Sequence, residues 1–293
     1  MAQNSESPSL SNARRGRLLI LAAALLWSLA GVFIKFLDVP PLTIVFYRSF
    51  FAFLVFSAFV RRAEWRINGP VLMSVLTYTA AISAFVSANK LTTAANAIVL
   101  QYTAPIFVFL FSRLVLGEKI SRANGIALLA GMIGVGVISC DSAGQPEMAG
   151  VVLALVSGVL FAGYMINLRR TRQVSPIYLT WVNNAFCALA LFFVVIAQLT
   201  LTLNQLVILA VMGAVQLGLP YFLFSKGLQS VSLVEASLIA LIEPVLNPVW
   251  VALAVGEIPS AATLGGGAMI LVGLGVRYLW PALKQPLATG NFS

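Results

Sequence analysis

A repeat spaced by 139 residues constrains this chain more than any other feature. Pro105 and Pro244, Gly117-Glu118 and Gly256-Glu257, Gly134 and Gly273, and Gly136 and Gly275 all stand 139 positions apart, since 244 − 105 = 139. Self-similarity on that scale means two copies of one structural unit. Both copies are almost wholly apolar, and a paired repeat in a membrane chain marks many secondary transporters, whose substrate site lies between the copies.

With 60% hydrophobic residues, 9% charged residues and a mean hydropathy of +0.97, the chain has too little polar surface to cover a water-soluble globule. Apolar runs of about 20 residues, each able to cross about 30 Å of hydrocarbon as a helix, recur along it. Ten are read, at 18–37, 42–60, 70–89, 94–114, 122–140, 148–168, 176–199, 205–224, 232–254 and 261–280. The strict alternation that a membrane barrel requires is missing from stretches such as Leu18 to Leu26. The expected fold class is therefore all-α, a polytopic membrane protein of ten transmembrane helices. Because each half holds five helices, an odd number, the second copy must enter the membrane from the opposite side. The repeats are thus expected to be inverted, at 18–145 and 146–281, with tails at 1–17 and 282–293.

The net charge of +9 could be read as a nucleic-acid footprint, but the placement of the charges argues for orientation in a bilayer. With the N-terminus inside, fifteen of the 18 Lys and Arg fall on the cytoplasmic side, while Lys35 and Lys90 fall outside and Arg48 lies within span two. Both termini are expected in the cytoplasm of a cell whose inner membrane holds the protein. A cleaved signal peptide fits the first run less well, since the run continues to Leu37 without a clear small-residue cleavage site. There is no His, which excludes histidine-ligated zinc and a Ser-His-Asp triad. Cys140 and Cys187 suit small buried hydrophobes, and neither supports a metal or redox site. Gly134-Val-Gly136 lacks the context of a dinucleotide loop, and no phosphate-binding Gly-Lys-Ser or Gly-Lys-Thr occurs. No cofactor, metal or nucleic-acid partner is expected.

Proline removes an N–H and clashes with the carbonyl four residues earlier, so Pro105 and Pro244 should kink spans four and nine and free the carbonyls of Gln101 and Ala240. In hydrocarbon a freed carbonyl needs a neighbouring donor or a wet cavity. The glycines of spans five and ten read as close-packing surfaces.

On these residues the chain resembles the drug/metabolite transporter superfamily, in its ten-helix branch with two EamA-type repeats. The resemblance rests on LLWSLAGVFIK in span one, on the Pro105 and Pro244 segments, and on the endings LVLGEKIS and VALAVGEIPS, each followed by a glycine-rich helix. Within that superfamily it looks most like the YddG-type exporters of aromatic amino acids. The resemblance implies export of small metabolites through a central cavity, with one bundle moving against the other.

Charged side chains inside a bilayer are expensive and point to function by default. Glu243, directly before Pro244, could bind a substrate ammonium or carry a proton, or serve as a structural partner of Arg48 or of a backbone group. Arg48 could hold a substrate carboxylate, snorkel to the outer interface or pair internally, and structure is the favoured reading. Glu235 could pair with Lys226. Trp27, Tyr78, Tyr102, Tyr164, Trp181 and Tyr221 are candidate walls of a substrate site, with lipid or helix contact as the alternative for each. Among the amides, Gln101 beside Tyr102 and Asn183 near Trp181 are the preferred mid-membrane contacts, while Asn96 and Asn184 also need partners.

The sequence thus leads to a secondary exporter of small neutral metabolites, most simply amino acids and among them aromatic ones. The alternatives are a multidrug or nucleoside exporter of the same fold and, further off, a channel or an intramembrane enzyme. Proton coupling through Glu243 stays open, and the oligomeric state is not given.

Overall fold

The computed structural model describes residues 10–104, 106–107, 122–141, 147–171, 173–196, 200–231, 236, 239–240 and 242–284. Among them there is no strand. In chain order the helices are α1 (Leu10–Trp27), α2 (Ala30–Phe36), α3 (Pro41–Ser57), α4 (Gly69–Leu91), α5 (Ala94–Gln101), α6 (Arg122–Asp141), α7 (Met148–Arg170), α8 (Pro176–Val195), α9 (Leu203–Val211), α10 (Leu219–Gly227), α11 (Ile242–Val255) and α12 (Ala261–Lys284). A π-helical turn, Met212–Gly218, joins α9 to α10. Among the described residues five stretches are long and apolar enough to cross a membrane, namely Asn12–Phe36, Gly69–Leu91, Met148–Leu168, Pro176–Val195 and Leu203–Gly227. Shorter apolar helices stand at Pro41–Ser57, Leu129–Asp141, Ile242–Val255 and Ala261–Gly273. Every expected span has a helix within it, and α5 begins the fourth.

Local chemistry sets several of the helix starts. Pro41 and Pro176 occupy first-turn positions, where the missing N–H costs no helical bond. Asn68 and Thr93 cap α4 and α5 by accepting from the N–H of Val71 and Asn96, and Thr202 with Gln205 forms a capping box on α9. Among the described residues three expected spans depart from a continuous α-helix, and span four does so at Tyr102 and Thr103, just after α5. Span one breaks at Ser28, whose hydroxyl donates to the Leu25 carbonyl at 2.7 Å and accepts from Trp250 Nε1 at 3.1 Å. Span eight widens into the π turn.

The pairing of helices carries the twofold relation of the halves. Span two (α3) packs on span seven (α8), span five (α6) on span ten (α12), and span four (α5) on span nine (α11). Each of these pairs a helix with its own repeat counterpart. Span three (α4) packs on span six (α7) and span one (α1) on span eight (α10), and the inversion exchanges these two pairs. The halves are therefore interleaved, and the core is their seam.

Glycine lets two of these contacts close. A Cβ on Gly134 would lie 2.5 Å from the Gly266 carbonyl oxygen, and one on Gly266 would lie 2.7 Å from that of Gly134, so α6 and α12 touch backbone to backbone. A Cβ on Gly213 would lie 2.4 Å from the Arg48 carbonyl oxygen, which seats the π turn directly on α3.

Candidate functional site

Four large rings meet at the seam, two from each half. Trp27 and Tyr221 stand 5.0 Å apart edge to face, Tyr78 and Tyr221 likewise 5.0 Å, Tyr78 and Tyr164 5.6 Å, and Tyr164 and Tyr221 6.1 Å. These spacings lie within the range of favourable aromatic pairs. All four rings are buried.

The amides of α8 brace this cluster. Tyr78 donates to Asn184 Oδ1 at 3.1 Å, and Asn184 Nδ2 donates to the Thr180 carbonyl at 2.8 Å. Asn183 Oδ1 accepts from Ser74 at 3.1 Å, while its Nδ2 points to the Tyr164 hydroxyl at 3.5 Å. Both amides of the pair thus serve helix contacts. Asn96 is similarly engaged, donating to Thr92 Oγ1 at 3.1 Å and accepting from Thr263 Oγ1 at 2.6 Å.

Glu243 and Tyr102 form a second polar group. The Tyr102 hydroxyl lies 2.8 Å from the Ala240 carbonyl oxygen and 2.8 Å from Glu243 Oε2. Ala240 precedes Pro244 by four residues, and its carbonyl is the one that the proline was expected to free. Pro244 lacks the N–H that would serve that carbonyl along a continuous helix, and the described residues Ile239 and Ala240 are themselves helical. Glu243 is 8% exposed. No ion pair joins it to Arg48, so among the described residues the internal Arg48–Glu243 bridge is not formed.

Arg48 is 3% exposed, which corrects the expectation that it could snorkel to an interface. The close seat of Gly213 holds its backbone inside the bundle. Its Nε has no hydrogen-bond partner, and the same is true of Trp27 Nε1, Gln216 Oε1 and both polar atoms of the Asn247 amide. Gln216 lies in the π turn and donates its other amide atom to the Trp27 carbonyl at 3.4 Å. Sequence reasoning missed Gln216 and Asn247, although both are amides in apolar runs and carried the same signal as Asn183.

The remaining candidates fall elsewhere. Trp181 is not brought to the ring cluster. It donates to Ser57 at 2.9 Å and stacks on Trp65 at 5.3 Å, at the end of α3 and beside an exposed loop, as an interfacial tryptophan does. Gln101 ends α5 half-buried, its carbonyl facing Gly158. Pro105 and Glu235 lie outside the described residues.

A separate polar cluster closes one end of the bundle. Lys35 pairs with Glu257 at 2.7 Å and donates to the Thr92 carbonyl at 2.8 Å, while Glu257 Oε1 accepts from the Ala94 N–H at 2.6 Å. Lys90 donates to the Leu37 carbonyl. Gly256 before it has φ +74, the left-handed conformation that ends α11 and turns Glu257 toward the N-terminus of α5. The Gly-Glu motif of the second half is therefore a helix terminator followed by an anchor.

Among the described residues no cluster of three metal-ligating side chains occurs. Comparison with known proteins finds the EamA-like transporter family matched twice, over residues 14–140 and 148–278. The chain is 28% identical to an uncharacterised transporter of Archaeoglobus fulgidus over 89% of its own length and 95% of that protein. It is 27% identical to the pseudopaline exporter CntI of Pseudomonas aeruginosa, covering 88% of this chain and 94% of the exporter. A riboflavin transporter of Rhizobium johnstonii is 30% identical over 54% of this chain and 56% of that protein. One solved crystal structure superposes with a TM-score of 0.68 at 21% identity, covering 93% of this chain and 99% of the other, and shares the fold. None of these names carries aromatic amino acids.

Proposed function

Because this chain belongs to the EamA-like transporter family, we propose that it exports amino acids, aromatic ones among them, by alternating access at the seam of its two inverted repeats. It is a transporter and not an enzyme. The repeats are taken as 18–145 and 146–281, the membrane as the cell inner membrane, and both termini as cytoplasmic, on the strength of the charge asymmetry. The observation that carries the reading is the buried cluster of Trp27, Tyr78, Tyr164 and Tyr221, drawn equally from both halves. Apolar ring faces with a few placed polar groups suit a small amphipathic solute. A site built by both halves is also one that their relative rocking would open to either side.

Proton coupling at Glu243 belongs to the same reading. The Tyr102 hydroxyl has one proton and two acceptors at 2.8 Å. Both contacts are satisfied at once when Glu243 is protonated and donates to the tyrosine oxygen, leaving Tyr102 to serve Ala240. A carboxylate that alternates between proton and substrate ammonium could exchange one for the other.

Flux of labelled phenylalanine into proteoliposomes of the purified protein tests the reading, with unlabelled phenylalanine, threonine, a nucleoside, a cationic drug and riboflavin as competitors. Saturable flux blocked by the amino acids is expected. Riboflavin merits its place because stacked rings also suit a flavin, and a relative carries that name. Uptake seen only for the drug, the nucleoside or riboflavin would overturn the amino acid assignment.

A further inference from the structure

We infer that Asn247 and Glu243 together hold the head-group of the amino acid, the Asn247 amide receiving its carboxylate and Glu243 its ammonium, where span nine faces the bare backbone of Gly31. This rests on the amino acid reading above and adds to it the residue that recognises the acid group. The ammonium and carboxylate of an α-amino acid share one carbon, so the groups that recognise them must be close neighbours. Glu243 and Asn247 are four residues apart in α11, since 247 − 243 = 4, and both belong to its buried face. Residues at that spacing in a helix lie one above the other, with Cβ atoms about 5–6 Å apart. An amide N–H donates to a carboxylate and a carboxylate accepts from an ammonium, so the pair matches both ends of the head-group.

Asn247 is fully buried, yet neither polar atom of its amide has a hydrogen-bond partner among the described residues. A buried amide left unpaired weakens the fold that holds it, so its presence calls for a partner that arrives from outside. The amide is held in place by span one. A Cβ on Gly31 would lie 2.6 Å from Asn247 Oδ1, 3.0 Å from its Nδ2 and 2.8 Å from Val251, so a larger residue at Gly31 would meet the amide. Three residues on, Trp250 donates to the Ser28 hydroxyl at 3.1 Å, which fixes α11 along the break in span one. Trp27, on the other side of that break, also has an indole N–H without an acceptor, and its ring stands 5.0 Å from that of Tyr221. The head-group site thus adjoins the ring cluster through Trp27, and the rings are left for the substrate side chain.

The pair is a feature of one half only. At the offset of 139, Glu243 corresponds to Ala104 and Asn247 to Val108, since 247 − 139 = 108. The second half thus supplies both polar groups and the first supplies the glycine they face. Because the amide already lies against Gly31, a carboxylate can enter only when spans one and nine part. Binding of the head-group is thereby tied to movement of one half against the other, as alternating access requires.

The test is binding of phenylalanine and of 2-phenylethylamine, which lacks the carboxylate, to the purified full-length protein. Competition against labelled phenylalanine reads it, and ligand-induced thermal shift extends it to variants that hold the label weakly. Wild type should prefer phenylalanine by about tenfold or more, the worth of a hydrogen bond to a charged group. Asn247→Leu keeps the bulk of the side chain and removes the unpaired amide. Its ligand-free form should melt no lower than wild type, while phenylalanine binding weakens about tenfold and 2-phenylethylamine binding is unchanged. A packing role alone would move the melting temperature and leave the preference as it was. If Asn247→Leu does not fold, Gly31→Ala, whose methyl would push the Asn247 amide aside, should narrow the same preference. An unchanged preference in either folded variant, with wild type binding phenylalanine, would overturn this inference alone. Absence of phenylalanine binding by wild type would overturn the amino acid reading and this inference with it.

Discussion

Replacing Glu257 with glutamine should loosen the end of the bundle where spans one, four and nine meet. There the Glu257 carboxylate pairs with Lys35 at 2.7 Å and accepts from the Ala94 N–H at 2.6 Å, and Lys35 also holds the Thr92 carbonyl at 2.8 Å. Hydrogen bonds to charged groups are worth about 1.5–3 kcal/mol each. The two side chains are 17% and 22% exposed, so solvent screens part of the attraction without abolishing it. An amide keeps one acceptor, but it loses the charge and turns an NH₂ toward either the Lys35 ammonium or the Ala94 N–H. A net loss of about 2 kcal/mol is then expected for the closed arrangement, which is an increase of about 30-fold in the open population.

The buried Ala95, at the start of span four, is a reporter for that opening. In a chain with Cys140 and Cys187 replaced by alanine, an Ala95→Cys thiol should react with a membrane-impermeant reagent about 30-fold faster when Glu257→Gln is added. Lys35→Met should have a similar effect, and the double variant should fall short of the sum because both changes remove one interaction. Equal labelling rates with and without the carboxylate would refute the reasoning and reduce the cluster to a static surface contact.

Gly134→Ala should destabilise the protein by about 1–3 kcal/mol, because the new methyl would meet the Gly266 carbonyl oxygen at 2.5 Å and Ile270 at 2.8 Å. Gly136→Ala, two residues on with nothing within 4 Å, should leave thermal stability unchanged, and equal effects of the two would remove the close-packing argument. Tyr102→Phe should cost about 1–3 kcal/mol, since it leaves the Ala240 carbonyl without its donor and Glu243 without its hydroxyl partner. A thermal unfolding midpoint matching wild type would show that another donor serves that carbonyl.

The features legible in the sequence were those that depend on local chemistry or on repetition. The 139-residue offset announced two copies, and the helix pairings show those copies interleaved about a twofold relation. Pro244 foretold a free carbonyl at Ala240, although not that Tyr102, 138 residues away in sequence, would serve it. Asn183 and Asn184 had to find partners in the membrane, and both did. Which face of a helix looks inward was much less legible. In lipid the outer face is as apolar as the core, so periodicity that would orient a helix in water carries little information here. That is why Trp181, one turn from the asparagines, could be grouped with the inner rings when it stacks on Trp65 instead. The Lys35–Glu257 pair spans 222 residues, as 257 − 35 = 222, and no local signal in the chain links its members.

Inversion sets a condition on any substrate held between the halves. Two identical halves would present a substrate with two equivalent orientations, related by the axis between them, and a molecule with unlike ends could bind in either. Here the scaffold is close to symmetric but the charges are not. Glu243 corresponds to Ala104 in the first half, at the offset of 139, and Arg48 corresponds to Asn183 in the second. Each half therefore contributes one charge, of opposite sign, at positions that are not equivalent. A substrate with unlike ends would therefore meet different surroundings in its two orientations, and the low dielectric of the seam would enlarge the difference. On the proposed function, the symmetric helix pairing would serve the motion and the asymmetric charges the recognition. Such a separation would let a scaffold built from two copies of one unit tell one end of its substrate from the other.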